Sequence, residues 1–160
     1  MVDDGWVHGD GNGWTWCAHG HRHWGVHGAA GLMLRSLDAH GEPRILMQHR
    51  ASWTAHGDTW GLPGGARDSH ESPHEAALRE AAEETGIVAG SVQLVDELVD
   101  DHGGWSYVTV VAQAPSLLAV RVNAESEALR WVREALVDQL RLHPGFARTW
   151  PRLRALGRAG

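Results

Sequence analysis

Six carboxylates crowd into the 24 residues from Gly64 to Ile87, "GGARDSHESPHEAALREAAEETGI", and three of them, Glu80, Glu83 and Glu84, fall within five positions. Like charges at that spacing repel, so something must offset them. At about 100° per residue the three share one helical stripe, while Ala77, Leu78, Ala81 and Ala82 fall to the other side and can face a core. Arg79 is four residues after Glu75 and four before Glu83, within reach of either. A solvated acidic face is the plain alternative. Two features weigh against it. No lysine interrupts the stripe, and a loop with paired glycines, "LPGGARDSHES", leads into it. Hard divalent cations such as Mg²⁺ and Mn²⁺ take carboxylate and carbonyl oxygens. Three helix carboxylates beside a loop carbonyl form that donor set.

The elements that must position these groups are legible around them. Ser72 fits a helix N-cap, Pro73 the first helical position, and Glu75 completes an S-x-x-E capping box. Gly86 stands where a helix ends, so the spacing predicts a helix over 72–86. "GAAGLMLRSL" (28–37) reads as a buried strand, and "RILMQHR" (44–50) as its hairpin partner across the turn "DAHGEP". A short strand is expected at 59–62 in the loop that follows. "SVQLVDELVD" and "WSYVTVVAQA" read as strands joined by "DHGG", and "ALRWVRE" as another. "REALVDQL" and "FARTWPRLRALG" are expected as closing helices, the second kinked or restarted at Pro151. Alternating helices and strands favour an α/β layered domain.

The spacing then identifies a family. Gly65, Glu71, Arg79, Glu80, Ala81, Glu83, Glu84, Gly86 and Ile87 follow G-x5-E-x7-R-E-U-x-E-E-x-G-U, where U is aliphatic. The segment resembles the Nudix box of the Nudix hydrolases, in their MutT-like branch. Ala81 is smaller than is usual at that packing position. The resemblance covers residues 28–160, and 1–27 form a Gly-, Trp- and His-rich, irregular or hairpin-like lead-in outside it. It implies an α/β fold with a mixed sheet sandwiched between helices. It also implies hydrolysis of a phosphoanhydride in a nucleoside diphosphate linked to X, or in a nucleoside triphosphate, by water attacking phosphorus. The cofactor implied is Mg²⁺ or Mn²⁺, bound by Glu80, Glu83, Glu84 and the Gly64 carbonyl. Glu71 and Arg79 are implied as the supporting pair, Arg79 orienting Glu83. The general base is left open between a box glutamate and a later loop acid. Glu127, and less so Glu125, matches the extra metal-binding glutamate of some members.

The substrate is less legible. The proline that many ADP-ribose hydrolases carry after the box is missing from "DDHGGW". Tyr107 fits only loosely the tyrosine of dinucleotide hydrolases, and the coenzyme A signature is incomplete. Nucleoside triphosphates, oxidised ones included, remain. The candidates for substrate binding are Arg50, Trp60, Trp105 and His102. A tryptophan there could stack on a base, and core or rim packing is the alternative. A sensing module on the same fold is the competing class, although such modules commonly lose box glutamates and this chain keeps them. A further alternative is an ADP-ribose or dinucleotide pyrophosphatase.

Composition sets the outer limits. The net charge of -6 argues against a nucleic-acid polymer as partner. No apolar run approaches the roughly 20 residues of a membrane span. Cys17 is the single cysteine, which suits a reducing cytoplasm. "CAHGHRH" alternates Cys17, His19, His21 and His23, a pattern more consistent with a polar loop than with a zinc site. A homodimer is compatible with the resemblance.

Overall fold

A computed structural model describes residues 9–124 and 126–159. Its centre is strand β3 (Ala29–Leu37), buried on nearly every residue. That suits the apolar run from Ala29 to Leu34, as expected of a strand covered on both faces. β3 pairs in parallel with β8 (Ser106–Gln113), from Ala29 opposite Tyr107 to Arg35 opposite Gln113. On its other side β3 splits its partners. Its C-terminal end pairs antiparallel with β4 (Pro43–Arg50), and its N-terminal end with β6 (Gly64–Ala66). β4 continues alongside β9 (Ser126–Arg133) and the two-residue β5 (Trp60–Gly61), and β7 (Gln93–Asp101) closes the far edge against β8. The wedge between the diverging β3 and β4 is where the segment carrying Gly64 and Gly65 enters.

Helices cover both faces. α1 (Pro73–Thr85) lays Ala76, Ala77 and Ala81 against Ala30, Leu32, Leu46, Val108 and Val110. The small Ala81 lets α1 sit close to the sheet. α2 (Pro144–Ala159) packs Phe146, Trp150 and Leu153 against Met33, Ile45, Met47 and Val111 on the opposite face. The α/β/α sandwich is thus the architecture expected. α1 starts and stops where its sequence says: Ser72 and Glu75 form the reciprocal capping box, and Gly86 closes the helix in the left-handed region at φ 81°.

Two expectations need correction. α2 runs as one helix through Pro151 rather than restarting there, with Trp150 and Leu153 on either side packed on the sheet. "EALVDQ" forms a 3-10 helix, Glu134–Gln139, rather than an α-helix. Its buried Glu134 takes Arg35 at 3.2 Å and Arg154 at 3.6 Å. In the lead-in, Cys17, His19, His21 and His23 do not share one strand. The chain turns between β1 (Trp14–Trp16) and β2 (Arg22–Trp24), which pair antiparallel as a hairpin. Cys17 is buried against Ala29 and Trp105.

Candidate active site

Arg79 is the hub of the acidic stripe. Its guanidinium grips Glu71 with two bonds, Nε to Oε2 at 2.6 Å and Nη2 to Oε1 at 2.9 Å. Nη2 also donates to the Ala66 carbonyl at 3.0 Å. Nη1 lies between two further carboxylates, 2.9 Å from Glu80 Oε1 and 3.2 Å from Glu83 Oε1. Burial by itself would push the Glu71 carboxyl up, but the Arg79 fork and the Asp68 N–H outweigh it and hold the group below the usual carboxylate range. The same bonds from Glu71, with the charge of Glu80, raise Arg79 far above its ordinary value.

Glu84 is held separately and more deeply. It is 5% exposed. Oε2 accepts from the Gly64 N–H at 2.9 Å, and Oε1 from Gln48 Nε2 at 2.9 Å. A carboxylate only accepts, so the Gln48 amide must present its nitrogen. The same nitrogen reaches Ser126 Oγ at 2.7 Å. Gln48 faces this way because β4 alternates: Leu46 and Gln48 point to α1, Ile45 and Met47 to α2. Gly65 brings backbone against Glu80 so closely that a Cβ there would fall 2.5 Å from the Glu80 Cδ. The Tyr107 hydroxyl packs behind Gly31 and Gly64, and burial followed by the charge of Glu84 pushes it upward.

The predicted site residues divide accordingly. Glu71, Arg79, Glu80, Glu83, Glu84 and Gly64 come together. Glu127 follows Ser126, whose hydroxyl meets the same Gln48 amide that holds Glu84. β9 carries a bulge opposite His49 and Arg50, with Arg50 facing Ser126 and His49 facing Ala128, so Glu127 is the unmatched, exposed residue next to Ser126. Bulges of this kind re-aim side chains beside active sites. Glu125 lies outside the described residues. Arg50 continues the β4 face of Gln48; its Nε donates to the Ala55 carbonyl at 2.9 Å, and its charge acts on Tyr107.

The three remaining substrate-binding candidates go elsewhere. Trp105 is 8% exposed, stacked on His23 at 4.0 Å, with its indole N–H donated to the Gly25 carbonyl at 2.8 Å. His23 covers one ring face, and His102 meets the ring edge-on. His102 joins Asp100 at 3.0 Å and Arg148 at 3.1 Å, tying the β7–β8 turn to α2. Trp60 packs with the α2-side core and stacks on His49 at 4.7 Å. In each case tertiary packing took up the aromatic or polar surface. Sequence reading missed Gln48 and Ser126. The available signal was a glutamine inside an apolar strand, since a buried amide must find partners.

The donor set suits a hard divalent cation: carboxylate oxygens on one helix face, with a positive centre already seated between Glu80 and Glu83. Among the described residues no three His, Cys, Asp or Glu side chains close on one point. Arg79 supplies the positive charge between Glu80 and Glu83. Glu83, with its side chain 56% exposed, has room to turn toward an ion.

The fold and this box define a class, and the chain belongs to it: residues 26–153 match the NUDIX domain family. The protein is a Nudix hydrolase, an enzyme of phosphoanhydride bonds. Among similar proteins, a Mycobacterium tuberculosis relative provisionally named 8-oxo-dGTP diphosphatase 3 is 50% identical over 92% of this chain and 71% of its own length. A Bifidobacterium longum protein named as a nucleoside triphosphate pyrophosphatase/Nudix hydrolase fusion is 42% identical over 93% of this chain, which spans 32% of that relative. The crystal structure of the Nudix hydrolase RenU from M. smegmatis superposes with a TM-score of 0.89 at 46% identity, covering 93% of this chain and 96% of that one. Coverage so high exceeds what residues 28–160 alone can supply, so the likeness reaches into the lead-in.

Proposed function

We propose that the protein is a Mg²⁺- or Mn²⁺-dependent nucleoside triphosphate pyrophosphohydrolase, with oxidised purine triphosphates of the 8-oxo-dGTP class as its first candidate substrates. The observation that carries the reading is the intact carboxylate box around Arg79 in a chain 50% identical to the M. tuberculosis relative. Glu80, Glu83, Glu84 and the Gly64 carbonyl would hold the ion. When bound it supplies charge neutralisation of the polyphosphate and a lowered pKa for a coordinated water. Glu71 fixes Arg79, and Arg79 fixes Glu80 and Glu83. Gln48 and the Gly64 N–H fix both oxygens of Glu84, which suits it to a ligand's role. Glu83 is the exposed box carboxylate, and with Glu127 at the bulge it is the best placed to take the proton from the water that attacks phosphorus. Arg50 is the cation placed to meet the phosphates.

The test is a coupled phosphate-release screen with Mg²⁺ over 8-oxo-dGTP, the canonical deoxynucleoside triphosphates, ADP-ribose, diadenosine polyphosphates, NADH and coenzyme A. A triphosphate should stand above the rest. Preference for ADP-ribose or a dinucleotide would overturn the substrate assignment. Silence across the panel with Mn²⁺ bound would favour a sensing role.

A further inference from the structure

The lead-in meets the box at one place. Gly9 N–H donates to Asp68 Oδ2 at 3.0 Å and Gly11 N–H to Asp68 Oδ1 at 3.1 Å. Between them, Asp10 accepts the Ser69 N–H at 2.8 Å on Oδ1 and the Ser69 hydroxyl on Oδ2. Three consecutive lead-in residues thus clip two consecutive residues of the loop between β6 and α1. The fit is close: a Cβ at Gly11 would overlap the Arg67 carbonyl.

Asp68 is not a surface anchor. It is 2% exposed, and a buried carboxylate needs donors. Two of its donors come from the lead-in, outside the segment matched to the family. Its own N–H donates to Glu71 Oε1 at 3.0 Å, the oxygen that also receives Arg79 Nη2. Its carboxylate lies 3.8 Å from Arg79 Nη2. Beside it, Arg67 joins the two segments again, donating to the His27 carbonyl and, at 2.6 Å, to the Glu71 carbonyl.

We propose that residues 9–11 are a positioning strap for the box: through Asp68 and Glu71 they hold the Arg79 guanidinium, and with it Glu80 and Glu83, in register for the reaction. This rests on reading the box as the reacting site. Gly11 and Asp68 are positioning residues and touch no substrate. Outer-shell partners of this kind are worth about 10–100-fold in metal affinity or activity.

The experiment uses the full chain with Gly11→Ala, Asp68→Asn and the double variant, each first shown to melt cooperatively. Trp16→Ala, in the same lead-in but 67% exposed, is the control. Two readouts are taken: exchange of the Arg79 Nε–H proton by NMR without metal, and kcat and KM on 8-oxo-dGTP with Mg²⁺. Both single variants should speed Arg79 Nε–H exchange and lower kcat about tenfold or more at nearly constant KM. The double should be no worse than the poorer single, since both break one linkage, and the control should match wild type. Unchanged Arg79 exchange in Gly11→Ala, or losses that add in the double, would overturn the strap. If Gly11→Ala does not fold, Asp10→Asn takes its place with the same expectations. The NMR arm decides the strap even if 8-oxo-dGTP is not hydrolysed.

Discussion

Replacing Gln48 by leucine tests what holds Glu84. The glutamine is 2% exposed, and one nitrogen serves both Glu84 and Ser126. Leucine fills similar volume, so no large cavity follows. What disappears is a bond to a charged acceptor, about 1.5–3 kcal/mol, and a neutral one, about 0.5–1.5 kcal/mol. Gln48→Leu should therefore lose about 2–4 kcal/mol in urea unfolding. At about 2–4 °C per kcal/mol for a chain of this size, Tm should fall roughly 5–15 °C. With Glu84 released on one side, kcat should fall about tenfold or more. Gln48→Glu sets a second carboxylate against Glu84 and should be worse than leucine at neutral pH. A loss under about 0.5 kcal/mol with wild-type kcat would refute the reasoning, because Glu84 would then be held by something other than this amide.

Three other outcomes are expected. Glu83→Gln should keep the melting behaviour and lower kcat by at least about two orders of magnitude, checked by steady-state kinetics; near-wild-type turnover would remove it from the reacting site. Gly65→Ala drives a Cβ to 2.7 Å from both Glu80 carboxylate oxygens, so Glu80 must move, and turnover should drop about 10²-fold with weaker Mn²⁺ binding by calorimetry. His143 is held neutral down to about pH 4 by burial and by the nearby His56, Arg50 and Arg148. The unfolded chain takes that proton near 6.5, so it binds more protons between those values, and stability falls as pH drops from 6.5 toward 4. His143→Gln should flatten that part of the urea-midpoint profile; an unchanged slope would assign it to other groups.

What could be read from the sequence was local. The caps of α1, the glutamate stripe and the strand pairs β3–β4 and β7–β8 each rest on neighbours a few residues apart, where spacing alone carries the physics. The parallel β3–β8 pairing does not. The fate of Trp105 depends on Gly25, 80 positions away, and that of Asp68 on Gly11, 57 away. A loop tryptophan and a loop aspartate look solvent-facing until those partners arrive. Pro151 broke a local rule, and α2 runs through it as one helix. Gln48 did leave a trace, as a polar residue in an apolar strand, but nothing in the sequence named its partner.

The bonds around Glu84 span very different lengths of chain. Gly64 is 20 residues from Glu84, Gln48 is 36, and Ser126 is 78 from Gln48. α1, capped from within, can form as soon as its residues leave the ribosome, whereas the Gln48–Ser126 bond must wait for β9 and for long loops to close. Order of assembly then separates helix from site. The expectation is a high φ-value for cap substitutions at Ser72 and values near zero at Ser126. Until β9 docks, Glu84 belongs to a helix that water can reach, so a chain stalled before that point has its carboxylates in place and no finished active site.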